Sequence, residues 1–236
     1  MFKHRISIIF STFNELSLGL LELSLKSLSN LEYVEVIVVD GGSSDGTLEL
    51  IENYPVKLIH SNISSRAERL NLGIESSSHE LILLHHPRSL IDTKGLEYLL
   101  ENYKSIQWGG FYHQFIEEHF LLKFTSWYSN EVRGKLRGII YLDHCIFFKK
   151  SIVKKMPWVP EVVIFEDTEF SEKLNKLHPA VIIPFLSKTS AIRFKKNGVI
   201  RQLILNIVMK LCFYMKFSDE LMNKIYEKGL GLNTKY

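Results

Sequence analysis

The chain has 236 residues, 46% apolar and 23% charged, which is long and apolar enough for one large α/β domain and excludes a disordered protein. A net charge of +3 without any basic block argues against a nucleic-acid partner. Two cysteines, Cys145 and Cys212, cannot build a metal cluster and point to a reduced, cytosolic compartment. The opening Phe2-Lys3-His4-Arg5 leads straight into a strand, without the h-region and cleavage site of a signal peptide.

Ile6 to Phe10 is predicted as the first strand, followed by Ser11-Thr12-Phe13-Asn14-Glu15. A helix comes next, its Leu16, Leu20, Leu21, Leu25 and Leu28 forming a core stripe. Val36 to Val39 is a β-branched run expected to be buried on both faces of a parallel sheet. It empties into Asp40-Gly41-Gly42-Ser43-Ser44-Asp45-Gly46-Thr47, where the glycines permit positive φ and close approach of a ligand. Asp45 is predicted to cap a helix through Leu48, Leu50 and Ile51. A strand, a glycine turn and a helix start is where open α/β sheets bind nucleotides, so Asp40 is either a ligand-binding acid or a turn former.

Val56 to His60 adds a second β/α step. Ser64 and Ser65 then cap a helix that carries Arg66 and Arg69 in its first turns. Cations disfavour a helix N-terminus, so Arg66 is read either as facing an anionic ligand or as a solvated side chain. Glu80 to His85 is another buried strand, emptying into His86-Pro87-Arg88-Ser89, with a helix near Asp92 to Tyr103. A strand from Trp108 to Ile116 and a helix from Phe120 to Arg133 follow. Tyr141-Leu142-Asp143-His144 introduces a strand from Cys145 to Phe148, and Phe165-Glu166-Asp167-Thr168-Glu169 opens a helix. Val181 to Ile183 is expected to be a short strand ended by Pro184. Val199 to Phe217 is mostly apolar, but Arg201, Gln202, Asn206, Lys210 and Lys216 interrupt it, against a membrane span. It is predicted to be an amphipathic helix, either packed on the domain or lying on a membrane surface.

Several of these segments together resemble glycosyltransferase family 2. They are Ile6 to Glu15, the Asp40 turn, Arg66-Ala67 with Asn71 and Gly73, Glu166-Asp167 and Arg193-Phe194, which stand in the family's order. The stretch from Ser190 to Arg201 is similar to the tail of a small bacterial subgroup that ends in an apolar helix. The resemblance implies one GT-A domain over residues 1–236: a Rossmann-like, mostly parallel central sheet, helices on both faces, and C-terminal amphipathic helices over 198–236. It implies an inverting transfer of a sugar from a nucleotide diphosphate sugar to a hydroxyl acceptor, lipid-linked or part of a cell-envelope glycan. Thr12, Glu15, Asp40 and Gly41 would hold the nucleoside side of the donor, and Arg66 would face its phosphates. Asp167, with Glu166, would supply the general base; Asp143 and Arg193 would lie toward the acceptor. A cytoplasmic enzyme at the inner face of a membrane fits this picture.

One position departs from the resemblance. The subgroup's metal-binding Asp, which would hold Mg²⁺ or Mn²⁺ against the diphosphate, is replaced by Arg88 in His86-Pro87-Arg88. His85 and His86 could offer nitrogen ligands, although hard Mg²⁺ prefers oxygen. Either Arg88 does the metal's electrostatic work, or the protein is a nucleotide-sugar-binding or assembly module that has lost transfer. A dinucleotide oxidoreductase is disfavoured, since the Gly-x-Gly-x-x-Gly turn is absent.

Overall fold

The computed structural model describes residues 2–154 and 156–227. Its first half alternates strands and helices: β1 (Ile6–Thr12), α1 (Leu20–Leu28), β2 (Val34–Asp40), α2 (Thr47–Ile51), β3 (Lys57–His60), α3 (Arg66–Glu75) and β4 (Leu81–His85). Then come β5 (Ser89–Ile91), α4 (Lys94–Glu101), β6 (Trp108–Phe115), α5 (Phe120–Trp127) and β7 (Ile146–Lys149). The chain continues with α6 (Glu166–Asn175), β8 (Val181–Thr189), α7 (Ile192–Asn197), α8 (Val199–Tyr214) and α9 (Asp219–Glu227). α8 and α9 fall within the stretch 198–236 expected to form a helical extension, and residues 228–236 lie outside the described residues.

All the strands join one sheet in the order β3-β2-β1-β4-β7-β6-β8-β5. The run β3-β2-β1-β4 is parallel, as is β6-β8, while β7 pairs antiparallel with β4 and β6, and β5 antiparallel with β8. Alternation along β1 splits the core into two layers. Ile8 and Phe10 face Leu21, Leu25, Leu96 and Leu99 of α1 and α4, whereas Ile9 faces Ala67, Leu70 and Ile74 of α3 with Phe170 of α6. Gly73 lets α3 sit tightly on the sheet, because a Cβ there would stand 2.4 Å from Ile9 Cγ2.

Three predicted elements take a different form. The strand expected to stop at Pro184 runs on to Thr189; a β-bulge opposite Phe111 and Tyr112 absorbs Pro184, whose missing N–H would otherwise break the ladder. The helix predicted to Arg133 ends as α-helix at Trp127 and continues as a π-helix over Tyr128–Leu136, which turns Arg133 inward. The N-cap of α2 is Gly46, at φ 96°, and not Asp45; one residue earlier, Asp45 Oδ1 accepts from both the N–H and the hydroxyl of Thr47.

α8 packs on the domain through Gln202 and Met209, and Phe213 meets Phe165 with ring centroids 4.9 Å apart. Its outer face leaves Ile200, Ile204, Ile207, Leu211 and Met215 exposed. No described helix is long and apolar enough to cross a membrane.

Candidate functional site

The site forms at the carboxyl ends of the parallel strands, where such sheets leave a crevice. Register puts Thr12 at the end of β1 beside Asp40 at the end of β2, and the Thr12 hydroxyl donates to Asp40 Oδ2 at 2.8 Å. Asp40 also accepts from the Gly42 and Ser43 N–H groups at 2.9 and 2.7 Å, and from the Ser43 hydroxyl at 2.6 Å. These bonds engage both carboxylate oxygens and hold the glycine turn closed. Gly41 makes room for Arg69: a Cβ would stand 2.6 Å from the Arg69 Nη1. That arginine is buried, donating to Ser11 Oγ and to the carbonyls of Ile63 and Ser64, and it braces the loop ahead of α3.

Beyond the turn lies a small pocket, open to solvent, lined by Glu15, Arg66, Arg69, His86 and Leu142 among others. Arg66, on the first turn of α3, reaches across to the buried carboxylate of Glu166 on the first turn of α6. Arg88 is buried and lies on Glu15, its Nε 2.8 Å from Oε2 and its Nη2 3.3 Å from Oε1. Burial raises the Glu15 carboxyl above its ordinary range although Arg88 pulls it down.

Asp167 is half-buried and reaches this cavity through Leu142, which lines it. Its Oδ2 accepts from the N–H of Leu142 at 3.2 Å. Burial, together with the neighbouring Glu166 carboxylate, pushes Asp167 up to about 7, against the opposing charge of Arg66. A carboxyl titrating near neutrality is suited to taking a proton during a reaction. Asp143 stands one turn of chain away with His113 Nε2 3.5 Å and His144 Nε2 3.9 Å from its carboxylate. Burial works to raise Asp143, but His113, His144 and Arg133 outweigh it and hold it down at about 2. Arg193 lies apart, its guanidinium 4.6 Å from the Tyr226 ring of α9.

The side chains near Arg88 do not fit a divalent cation. His85 Nδ1 is 2.9 Å from the His86 carbonyl, and burial lowers the ring to about 4. His86 Nδ1 accepts from the Arg88 N–H at 3.2 Å. Arg88 itself would repel a cation, and no group of three or more His, Cys, Asp or Glu among the described residues is arranged to hold one.

Glycosyl transferase family 2 matches residues 7–156, more than half of the chain, and every residue that lines the cavity falls within that span. The chain belongs to this family. Poly-beta-1,6-N-acetyl-D-glucosamine synthase of Staphylococcus epidermidis is 30% identical over 106 residues, covering 42% of this chain but only 25% of that protein. Among solved structures, Staphylococcus aureus TarS residues 1–349, in complex with UDP-GlcNAc, superposes with a TM-score of 0.62 at 16% identity, over 78% of this chain and 58% of that one. Glucosyl-3-phosphoglycerate synthase of Mycobacterium tuberculosis, solved with Mn²⁺, UDP and glucosyl-3-phosphoglycerate, gives 0.62 at 13% identity, over 89% and 79%. At such identities the likeness establishes the GT-A fold.

The family resemblance pointed to Arg66, Glu166 and Asp167; Arg66 lines the cavity and pairs with Glu166, and Asp167 accepts from the N–H of Leu142, another lining residue. It did not point to Arg69 as the brace of the glycine turn, nor to the Leu142 N–H as a partner of Asp167. The only hint of Arg69 was its place three residues after Arg66, on the same helix face.

Proposed function

We propose that this chain transfers a sugar from a nucleotide diphosphate sugar to a hydroxyl acceptor, inverting the anomeric centre in one displacement. The observation that carries this reading is the placement of Asp167: its carboxylate accepts from the N–H of Leu142, which lines the cavity together with Arg66 and Arg69. Asp167 takes the proton of the acceptor hydroxyl, whose oxygen forms the new bond to the anomeric carbon. The bond from that carbon to the diphosphate oxygen breaks, and its electron pair leaves with the nucleoside diphosphate. Arg66, which lines the cavity, receives that charge, shared then between phosphate and Glu166. Thr12, Asp40 and Gly41 shape the nucleoside end of the site, with Glu15 and Arg88 behind it.

The test is a thermal-shift series with UDP, UDP-GlcNAc and GDP-mannose, with and without EDTA. A ligand at a hundredfold excess over its Kd stabilises by about 2.7 kcal/mol, which corresponds to roughly 5–10 °C in Tm for a chain of this size. No shift with any nucleotide overturns the proposal.

A second reading, a donor-binding module without transfer, is favoured by the same Arg88–Glu15 pair, since it fills the family's metal position with a neutralised cation. Donor binding without product, across acceptors and metals, would select it.

The apolar outer face of α8, flanked by exposed Arg201 and Lys216, supports a place on an anionic membrane surface, where a lipid-linked acceptor would be met.

A further inference from the structure

A second small pocket lies close to Asp167 along the chain. Tyr141 and Thr168 line it, the first preceding Leu142, which faces the donor cavity, and the second following Asp167. Three cations enter it from two elements: Arg133 and Arg137 from the π-helix and the residue after it, and Lys210 from α8. Aromatic rings make up much of the remaining wall. The Arg133 guanidinium lies 3.4 Å from the Tyr141 ring centroid, Lys210 Nζ is 5.6 Å from the Tyr128 ring, and Arg137 donates to the Tyr214 hydroxyl.

Among the described residues, none of these three cations makes an ion pair with a carboxylate. Arg133 is 8% exposed, and its Nε has no hydrogen-bond partner among the described residues, while its Nη2 reaches Ser129 and His144. Burial, then Arg133 and Arg137, lower Lys210 to about 8 against the opposing charge of Asp143. Of the three only Arg133 is buried, and a buried cation is ordinarily paired with an anion. An anion seated here would supply that partner, and guanidinium groups favour phosphate oxygens.

We propose that this pocket binds a phosphate ester carried by the acceptor, and so holds the acceptor's hydroxyl against Asp167. The inference rests on the transferase reading and adds the acceptor's chemical class to it. The tyrosine and phenylalanine rings suit the glycan or polyol next to the phosphate, while Arg133, Arg137 and Lys210 hold the phosphate itself. Lys210 gives α8 a part in the site: it carries a phosphate-binding cation on its inner side and exposed apolar residues on its outer side.

The experiment is calorimetric titration of glycerol 3-phosphate into the full chain with UDP saturating, beside titration of glycerol. Phosphatidylcholine vesicles with and without phosphatidic acid give a second arm, which separates a lipid-borne phosphate from a soluble one. The variants are Lys210→Met and Arg137→Gln, with Lys135→Ala, an exposed cation already paired to Glu131, as control. Binding of the soluble ester that falls about tenfold or more in each of the first two variants, and not in the control, supports the pocket with a soluble acceptor. The same pattern with phosphatidic acid vesicles alone supports it with a lipid-borne one. No binding in either arm, or binding that neither variant weakens, overturns it. UDP affinity, measured in the same samples, keeps the two readings apart. UDP binding without phosphate-ester binding removes this inference and leaves the transferase standing; phosphate-ester binding without UDP binding removes the transferase and with it the pocket's role as an acceptor site.

Discussion

The Arg88 guanidinium lies on the Glu15 carboxylate, Nε to Oε2 at 2.8 Å and Nη2 to Oε1 at 3.3 Å, with both side chains shut from solvent. Removing one member of such a pair strands the other, at a cost of about 3–5 kcal/mol. Arg88→Ala should therefore lower the urea midpoint sharply, and the double substitution Glu15→Gln with Arg88→Met should recover most of the loss. A change below about 1 kcal/mol in the single variant would mean that the pair is solvated after all.

The same pair predicts the metal behaviour. Donor binding by the wild type should persist in excess EDTA, because the charge at this position belongs to the chain. Arg88→Asp sets a second carboxylate beside Glu15 and gives a divalent cation two oxygen ligands. Mn²⁺ should then raise the Tm of that variant and leave the wild type unmoved. Wild-type transfer abolished by EDTA and restored by Mn²⁺ would refute this and return His85 and His86 as ligands.

For Asp167, transfer should rise with pH through about 7, as the carboxyl loses its proton and becomes able to accept one. Stability should move the other way. The folded-state value lies above the unfolded one of about 4, so this group's contribution is full below about 4 and is lost as pH rises through about 7. Asp167→Asn should cut transfer by about 10² to 10⁴ while flattening that pH dependence of Tm. Transfer at the wild-type rate in this variant would move the base elsewhere.

Gly41→Ala would drive a methyl into the Arg69 guanidinium, which cannot swing away without releasing Ser11 Oγ and the carbonyls of Ile63 and Ser64. A loss of about 1–3 kcal/mol in chemical denaturation is expected, with weaker nucleotide binding because the turn is displaced. An unchanged Tm and UDP affinity would show that Arg69 does not brace the turn.

Vesicle flotation tests the outer face of α8. Binding to anionic vesicles should weaken with salt and fall in Ile204→Ser with Leu211→Ser, both exposed, so that folding is spared. Protein that stays at the bottom of a low-salt gradient would leave that face for another role.

The alternating β/α order, the buried parallel strands and the glycine turn after Val39 were legible in the sequence, because each depends on residues within a few positions of one another. Ser65 capping α3 is of the same local kind. What the tertiary structure alone decided is the pairing of distant charges. Arg88 meets Glu15 across 73 positions and Arg66 meets Glu166 across 100, so the cation expected to face the donor phosphates is already held by a carboxylate. Nor could spacing show that a π-helix turns Arg133 toward Lys210 of α8, or that β8 survives Pro184 through a bulge. Residue type states which charges and breaks the chain carries, but the Coulomb energy and the ladder geometry depend on distance through space, and folding alone sets that.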